Sequence, residues 1–200
     1  MAVEEARRYH HGNLRSELLD AAERTLASSG AGELSLRELA REVGVSHAAP
    51  RRHFRDKQAL LDALAQRGFE RLGRSLDKAM VSAGDGFAAR LAAFARAYVR
   101  FATANGALLE LMFAGKHRAG ASESLKTAAS DAFARPLALV AEAQAAGEVV
   151  PGDPERVATV LFAALQGLVS MANSGLVDSA SIDDVVADAV DGLMSGLRPR

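Results

Sequence analysis

The sequence contains no cysteine and no tryptophan, and its 200 residues include only eight phenylalanines and two tyrosines. Without cysteine there is no disulfide scaffold, no thiolate metal site and no cysteine nucleophile. Aromatics make up 5% of the chain against an apolar total of 49%. The core must therefore be built from Ala, Leu and Val, an alphabet that suits helices better than β-sandwiches. Net charge is nearly absent too. A formal value of −1 announces neither a nucleic-acid binder nor a membrane-surface protein. The longest apolar stretch, Val157 to Ala172, contains Gln166 and falls short of the roughly 20 residues a membrane-spanning helix needs. The first 15 residues are charged and lack the apolar run of a signal peptide, so a cytoplasmic protein with no membrane partner is expected. Signatures of catalysis are missing: no G-x-G-x-x-G, no Gly-Lys-Ser/Thr phosphate loop, no H-E-x-x-H and no G-x-S-x-G. No enzyme activity, metal or cofactor is expected.

What is present is helix punctuation. Leu14, Leu18, Ala22 and Leu26 recur at helical spacing behind Asn13, a candidate cap, and the segment ends near Gly30. Ser35 and Glu38 have the spacing of a capping box, and Gly44 ends that helix after nine residues. Ser46 or His47 opens another short helix, and Asp56 is placed to cap a long one carrying Leu60, Leu61, Leu64, Phe69 and Leu72 to an end near Gly84. Phe87, Leu91, Phe94, Tyr98 and Phe101 form one helical stripe. Further helices are expected over Leu108–Lys116, over about Ser122–Gly147 with a kink or interruption at Pro136, and over Val157–Ala172. The last starts at Ser181, with Ile182, Val185, Ala189, Leu193 and Leu197 on one face. About nine helices and no sheet give an all-α fold, with a domain boundary expected near residues 55–75, inside the long helix rather than in a linker.

The neutral charge conceals a division. Residues 1–75 hold 13 basic and 11 acidic side chains, whereas residues 76–200 hold 11 and 14. Between Ser46 and Lys57, Arg51, Arg52, Arg55 and Lys57 face Asp56 alone, with His47 and His53 as further donors. This basic run follows a short amphipathic helix whose Leu36, Leu39, Ala40 and Val43 point one way and Arg37, Glu38, Arg41 and Glu42 the other. A steep helix crossing needs a small residue such as Ala40, and a three-residue turn needs the backbone freedom of Gly44. These are the requirements of a helix-turn-helix, whose second helix enters the DNA major groove. A helical hairpin with a solvated basic face meets the same pattern, and a helical adaptor that does not bind DNA specifically is the alternative function.

Tyr9-His10-His11-Gly12-Asn13-Leu14, LLDAAERTLASSG and SLRELAREVGVSHAAPRRHFRDKQALLDAL together resemble the TetR family of transcriptional repressors, over residues 9–72. The resemblance implies a three-helix DNA-binding domain, residues 1–57, joined by a long helix to a helical ligand-binding and dimerisation domain, residues 58–200. It implies a regulator, usually a repressor, that holds a palindromic double-stranded operator as a homodimer and is released by a small molecule. Ser46, His47 and Ala48 would stand near bases, with Arg51, Arg52 and His53 along the recognition helix and Lys57 on a phosphate. Ser35, Arg37, His10 and His11 complete the DNA-facing set. The family usually has Tyr where this chain has Arg51, which exchanges a phenolic contact for a guanidinium one.

By the same resemblance the homodimer forms through the last two helices, residues 157–175 and 181–197. The first of these is apolar on more faces than a monomer's surface would carry. Phe162-Ala163-Ala164-Leu165-Gln166-Gly167 resembles a degenerate form of a subgroup motif, Trp, three residues, then His-Gly. For a mostly apolar effector the candidate pocket residues are Phe94, Tyr98, Phe101, Leu111, Met112, Phe133, Phe162 and Gln166. The same stripe also serves as plain core.

Overall fold

The computed structural model describes residues 14–178 and 181–197. His10, His11 and Asn13 lie outside the described residues. Within them the chain forms eight α-helices and no strand: α1 (Leu14–Ser29), α2 (Leu36–Glu42), α3 (Lys57–Ser82), α4 (Phe87–Ala104), α5 (Gly106–His117), α6 (Glu123–Ala145), α7 (Pro154–Asn173) and α8 (Ile182–Leu197). Two 3-10 turns, Ala31–Glu33 and Pro50–Arg52, complete the described helical elements.

The ninth expected helix is the element that differs. After α2 the chain makes only a turn followed by the 3-10 segment Pro50–Arg52. Proline at position 50 has no N–H to give the Ser46 carbonyl, and its ring crowds that carbonyl, so an α-helix starting at Ser46 is blocked. Three bonds that span three residues form instead, Ala49 N–H to Ser46 (2.9 Å), Arg52 N–H to Ala49 (3.2 Å) and His53 N–H to Pro50 (3.0 Å), and the Phe54 N–H then reaches back four residues to the Pro50 carbonyl (2.9 Å).

Two compact units make up the chain. One comprises residues up to Gly68 together with Ala107–Lys126; the other comprises Phe69–Gly106 and Thr127–Arg200. In the first unit, α1 buries Leu14, Leu18, Ala22 and Leu26 as the spacing predicts, joined by Leu19 and Ala21. Leu34, Leu39, Ala40, Phe54, Leu60 and Leu64 are buried in the same unit. Ser35 holds the N-cap position of α2 with extended backbone, but its side chain makes no capping bond, so the capping box is not formed. The end of α2 follows expectation. Gly44 has φ +72, and the Val45 N–H reaches the Ala40 carbonyl (2.9 Å) while the Gly44 N–H reaches Arg41 (3.2 Å). Nothing lies within 4 Å of where a Cβ on Gly44 would stand, so its cost is purely one of backbone conformation. Gly44→Ala is therefore expected to lower unfolding stability by about 1–2 kcal/mol, read as a shift in the urea midpoint; an unchanged midpoint would show that this turn relaxes. Asp56 caps α3 as expected, accepting from the Ala59 N–H at 2.8 Å.

In the second unit α4 packs against both α7 and α8. Its stripe of Phe87, Leu91, Phe94, Tyr98 and Phe101 is buried throughout. Helix α6 is not interrupted at Pro136. Buried Ala128, Ala129 and Ala132 before the proline and Leu139, Val140 and Ala143 after it hold the helix on both sides. That packing outweighs a penalty of about 3 kcal/mol for proline in a helix interior.

Both terminal helices carry two adjacent apolar stripes. Helix α7 buries Leu161, Leu165 and Val169. Beside them Val157, Ala164 and Leu168 are half-buried and Val160 and Met171 are 62% and 41% exposed. Helix α8 buries Val186, Val190 and Met194, one register away from the expected stripe. Ile182, Val185, Ala189, Leu193 and Leu197 stay half-buried on the neighbouring face. Sequence periodicity selects one of two stripes 100° apart on such a helix and cannot say which one the chain itself covers. Helix α7 is also longer than expected. Pro154 opens it at the first position, with Asp153 capping, and its 20 residues are long and apolar enough to cross a membrane by length and composition.

Candidate functional site

The turn after α2 is presented to solvent. Ser46, His47, Ala48, Arg51, Arg52 and His53 are all exposed, while Pro50 and Phe54 are buried and anchor the segment from beneath. Arg37 is exposed and Ser35 half-buried. Among the described residues Arg37, Arg51 and Arg52 have no carboxylate partner, so their donors are available to an external anion. Arg55 is exposed beside Asp56, at 3.2 Å. Lys57 is half-buried, its ammonium donating to the Gly32 carbonyl at 2.7 Å. The result is a short basic surface carried on a backbone bonded to itself. Guanidinium groups suit it, since each presents a planar fork to phosphate or to a guanine edge.

This surface is braced from behind. Arg67 on α3 pairs with Asp20 and with Glu23 on α1, the second at 2.7 Å. The Arg15 guanidinium lies 5.5 Å over the buried Phe54 ring. These contacts join residues more than 38 positions apart, and no local pattern in the sequence signals them.

The candidate pocket residues separate into two groups. Phe94, Tyr98, Phe133, Phe162 and Gln166 come together in the second unit. Tyr98 stacks on Phe94 at 6.2 Å and meets Phe162 edge-on at 5.1 Å, and Phe133 meets Phe162 edge-on at 5.2 Å. The Tyr98 hydroxyl donates to Gln166 Oε1 at 2.8 Å. Burial pushes the phenol well above its ordinary pKa, which keeps it a neutral donor. Phe101 lies under the Arg71 guanidinium at 5.3 Å, and Arg71 also donates to Asn105 at 2.8 Å. Leu111 and Met112 belong to the other unit. There Met112 is fully buried, and a Cβ on Gly68 would stand 2.6 Å from its sulfur. Among the described residues no three His, Asp or Glu side chains cluster closely enough to hold a metal ion.

Two families match the chain: "Bacterial regulatory proteins, tetR family" over residues 18–64 and "Tetracyclin repressor-like, C-terminal domain" over residues 91–193, the second covering just over half of the chain. The HTH-type transcriptional repressor Rv1474c of Mycobacterium tuberculosis is 40% identical over 63 residues, 32% of this chain and 34% of that protein. The chain thus spans about a third of the length of this curated relative. A solved structure of a protein with unknown function from Rhodococcus sp. RHA1 superposes with a TM-score of 0.90 at 49% identity, covering 96% of this chain and 98% of that one. A TetR family transcription regulator from Marinobacter aquaeolei VT8 shares the fold, with a TM-score of 0.77 at 19% identity over 96% and 100% of the two chains. From the N-terminal basic turn to the terminal helix pair, this chain belongs to the TetR family of transcriptional regulators.

Proposed function

We propose that the chain binds a palindromic DNA operator as a homodimer and that a small, mostly apolar effector releases it. By role, residues 1–57 read DNA and residues 58–200 dimerise and take the effector. The observation that carries this reading is the exposed basic turn, in which Arg51 and Arg52 extend from a backbone braced by Pro50 and Phe54. Ser46, His47 and Ala48 meet base edges, and Arg37, Arg51, Arg52, His53 and Lys57 meet phosphates or guanine. Two such turns in a two-fold dimer stand about one DNA turn apart, roughly 34–36 Å. The half-exposed second stripes of α7 and α8 support a four-helix interface with a second copy. The neutral Tyr98 hydroxyl and Gln166 amid Phe94, Phe133 and Phe162 supply polar orientation within an apolar effector site. Release is a population shift, so the effector must favour the conformation that binds DNA poorly. We read the protein as a cytoplasmic regulator without catalytic activity.

Selection of bound fragments from a random DNA pool with the purified protein tests the reading. With the selected fragment, Arg52→Ala and Lys57→Ala should each weaken binding about tenfold and reduce the slope of log K against log salt by roughly 2 per dimer, with the dimer intact. A pool that yields no enriched fragment at low salt would favour the helical adaptor.

A further inference from the structure

Among the described residues Asp62 is the only buried charged side chain, 7% exposed, on the second turn of α3. Three donors enclose its carboxylate. Gln58 Nε2 lies at 2.8 Å, Arg118 Nη2 at 3.0 and 2.9 Å from the two oxygens, and the Ser122 N–H at 3.2 Å. Arg118 also folds over its own loop, donating to the carbonyls of Ala119 at 2.9 Å and Gly120 at 3.2 Å. Ser122 opens α6, where its hydroxyl accepts from the Leu125 N–H at 3.3 Å. One carboxylate thus gathers the end of α5 and the start of α6 onto the first turns of α3. The same contact continues along α3. A Cβ on Gly115 would stand 3.7 Å from Ala65 Cβ, and one on Gly68 would collide with Met112.

The pair is poorly built for stability alone. Arg118 Nε is buried without any acceptor, and buried ion pairs are often matched or surpassed by apolar replacements. Its value lies in where it sits. Asp62 is one turn and a half beyond Asp56, the cap that starts α3 directly after the basic turn. Ala107–Lys126 belongs to the same compact unit as the residues up to Gly68.

We propose that Asp62 and Arg118 are positioning residues for DNA binding, a clamp that makes Ala107–Lys126 part of the body carrying the basic turn. The proposal rests on the operator-binding reading above.

Asp62→Asn, Arg118→Met and the double variant of the full chain test it, with the fragment selected by the wild-type protein as probe. Each single variant should bind about tenfold more weakly at an unchanged salt slope, since neither side chain touches phosphate. Amide exchange over residues 43–54 should accelerate in the free variants. In the double variant, removal of both charges should restore thermal stability but neither affinity nor exchange protection. Wild-type affinity in folded single variants would overturn the clamp. So would a reduced salt slope, which makes Arg118 a phosphate contact, or recovery of affinity with stability in the double variant. If the wild-type chain selects no DNA, the operator reading fails; unchanged exchange over residues 43–54 overturns the clamp by itself.

Discussion

Val160→Glu is expected to split the dimer and to weaken operator binding about a hundredfold or more, because two half-sites can no longer be engaged together. Within one protomer Val160 is 62% exposed, so a charge there should change the stability of the isolated fold by no more than about 0.5 kcal/mol. A large effect can arise only from whatever covers the second stripe of α7. A glutamate in that stripe would be desolvated in each copy, a penalty of several kcal/mol per ion. Sedimentation velocity and binding to the selected fragment measure the two consequences separately. A dimer that persists, or a monomer that binds as tightly as the wild type, removes this face from the interface.

The second large effect is on folding. Tyr98 is fully buried where α4 packs on α7, in ring contact with Phe94 and Phe162. Tyr98→Ala should cost on the order of 3–5 kcal/mol, a large share of the 5–15 kcal/mol that stabilises a typical domain. Tyr98→Phe keeps the rings and removes only the donor to Gln166, so its cost should be about 1 kcal/mol. Denaturant unfolding of the two variants distinguishes packing from hydrogen bonding; equal losses would contradict the placement of Tyr98 in a ring cluster. The pH dependence has a definite sign. The folded phenol has a raised pKa, so the stability it contributes is complete below about 10, the value in the unfolded chain, and falls as pH rises beyond it. Tyr98→Phe should flatten that alkaline loss.

The helices were legible in the sequence because each has its own three- and four-residue apolar spacing, as in Phe87 to Phe101. The turn at Gly44 and the cap at Asp56 were legible for a similar reason, since both are local backbone requirements. The short helix expected from Ser46 or His47 does not form, because Pro50 withholds the N–H that its first turn needs. Pro136 was weighed against its own helix only, and packing on both sides decided otherwise. The basic turn was readable because charge survives as a pattern along the chain. The bonds Asp62 to Arg118 and Tyr98 to Gln166 span 56 and 68 positions, and only the tertiary fold brings such partners together.

The backbone of the exposed basic turn is held by main-chain bonds from Ala49, Arg52, His53 and Phe54 and by the fixed ring of Pro50. None of these involves the side chains of Ser46, His47, Ala48, Arg51, Arg52 or His53. Those six positions can therefore vary at almost no folding cost, since surface changes away from caps and cores rarely exceed about 0.5 kcal/mol. On the operator-binding reading proposed above, operator preference is separable from architecture: a new target sequence can be acquired by substitution at the rim of the turn while everything beneath it stays the same.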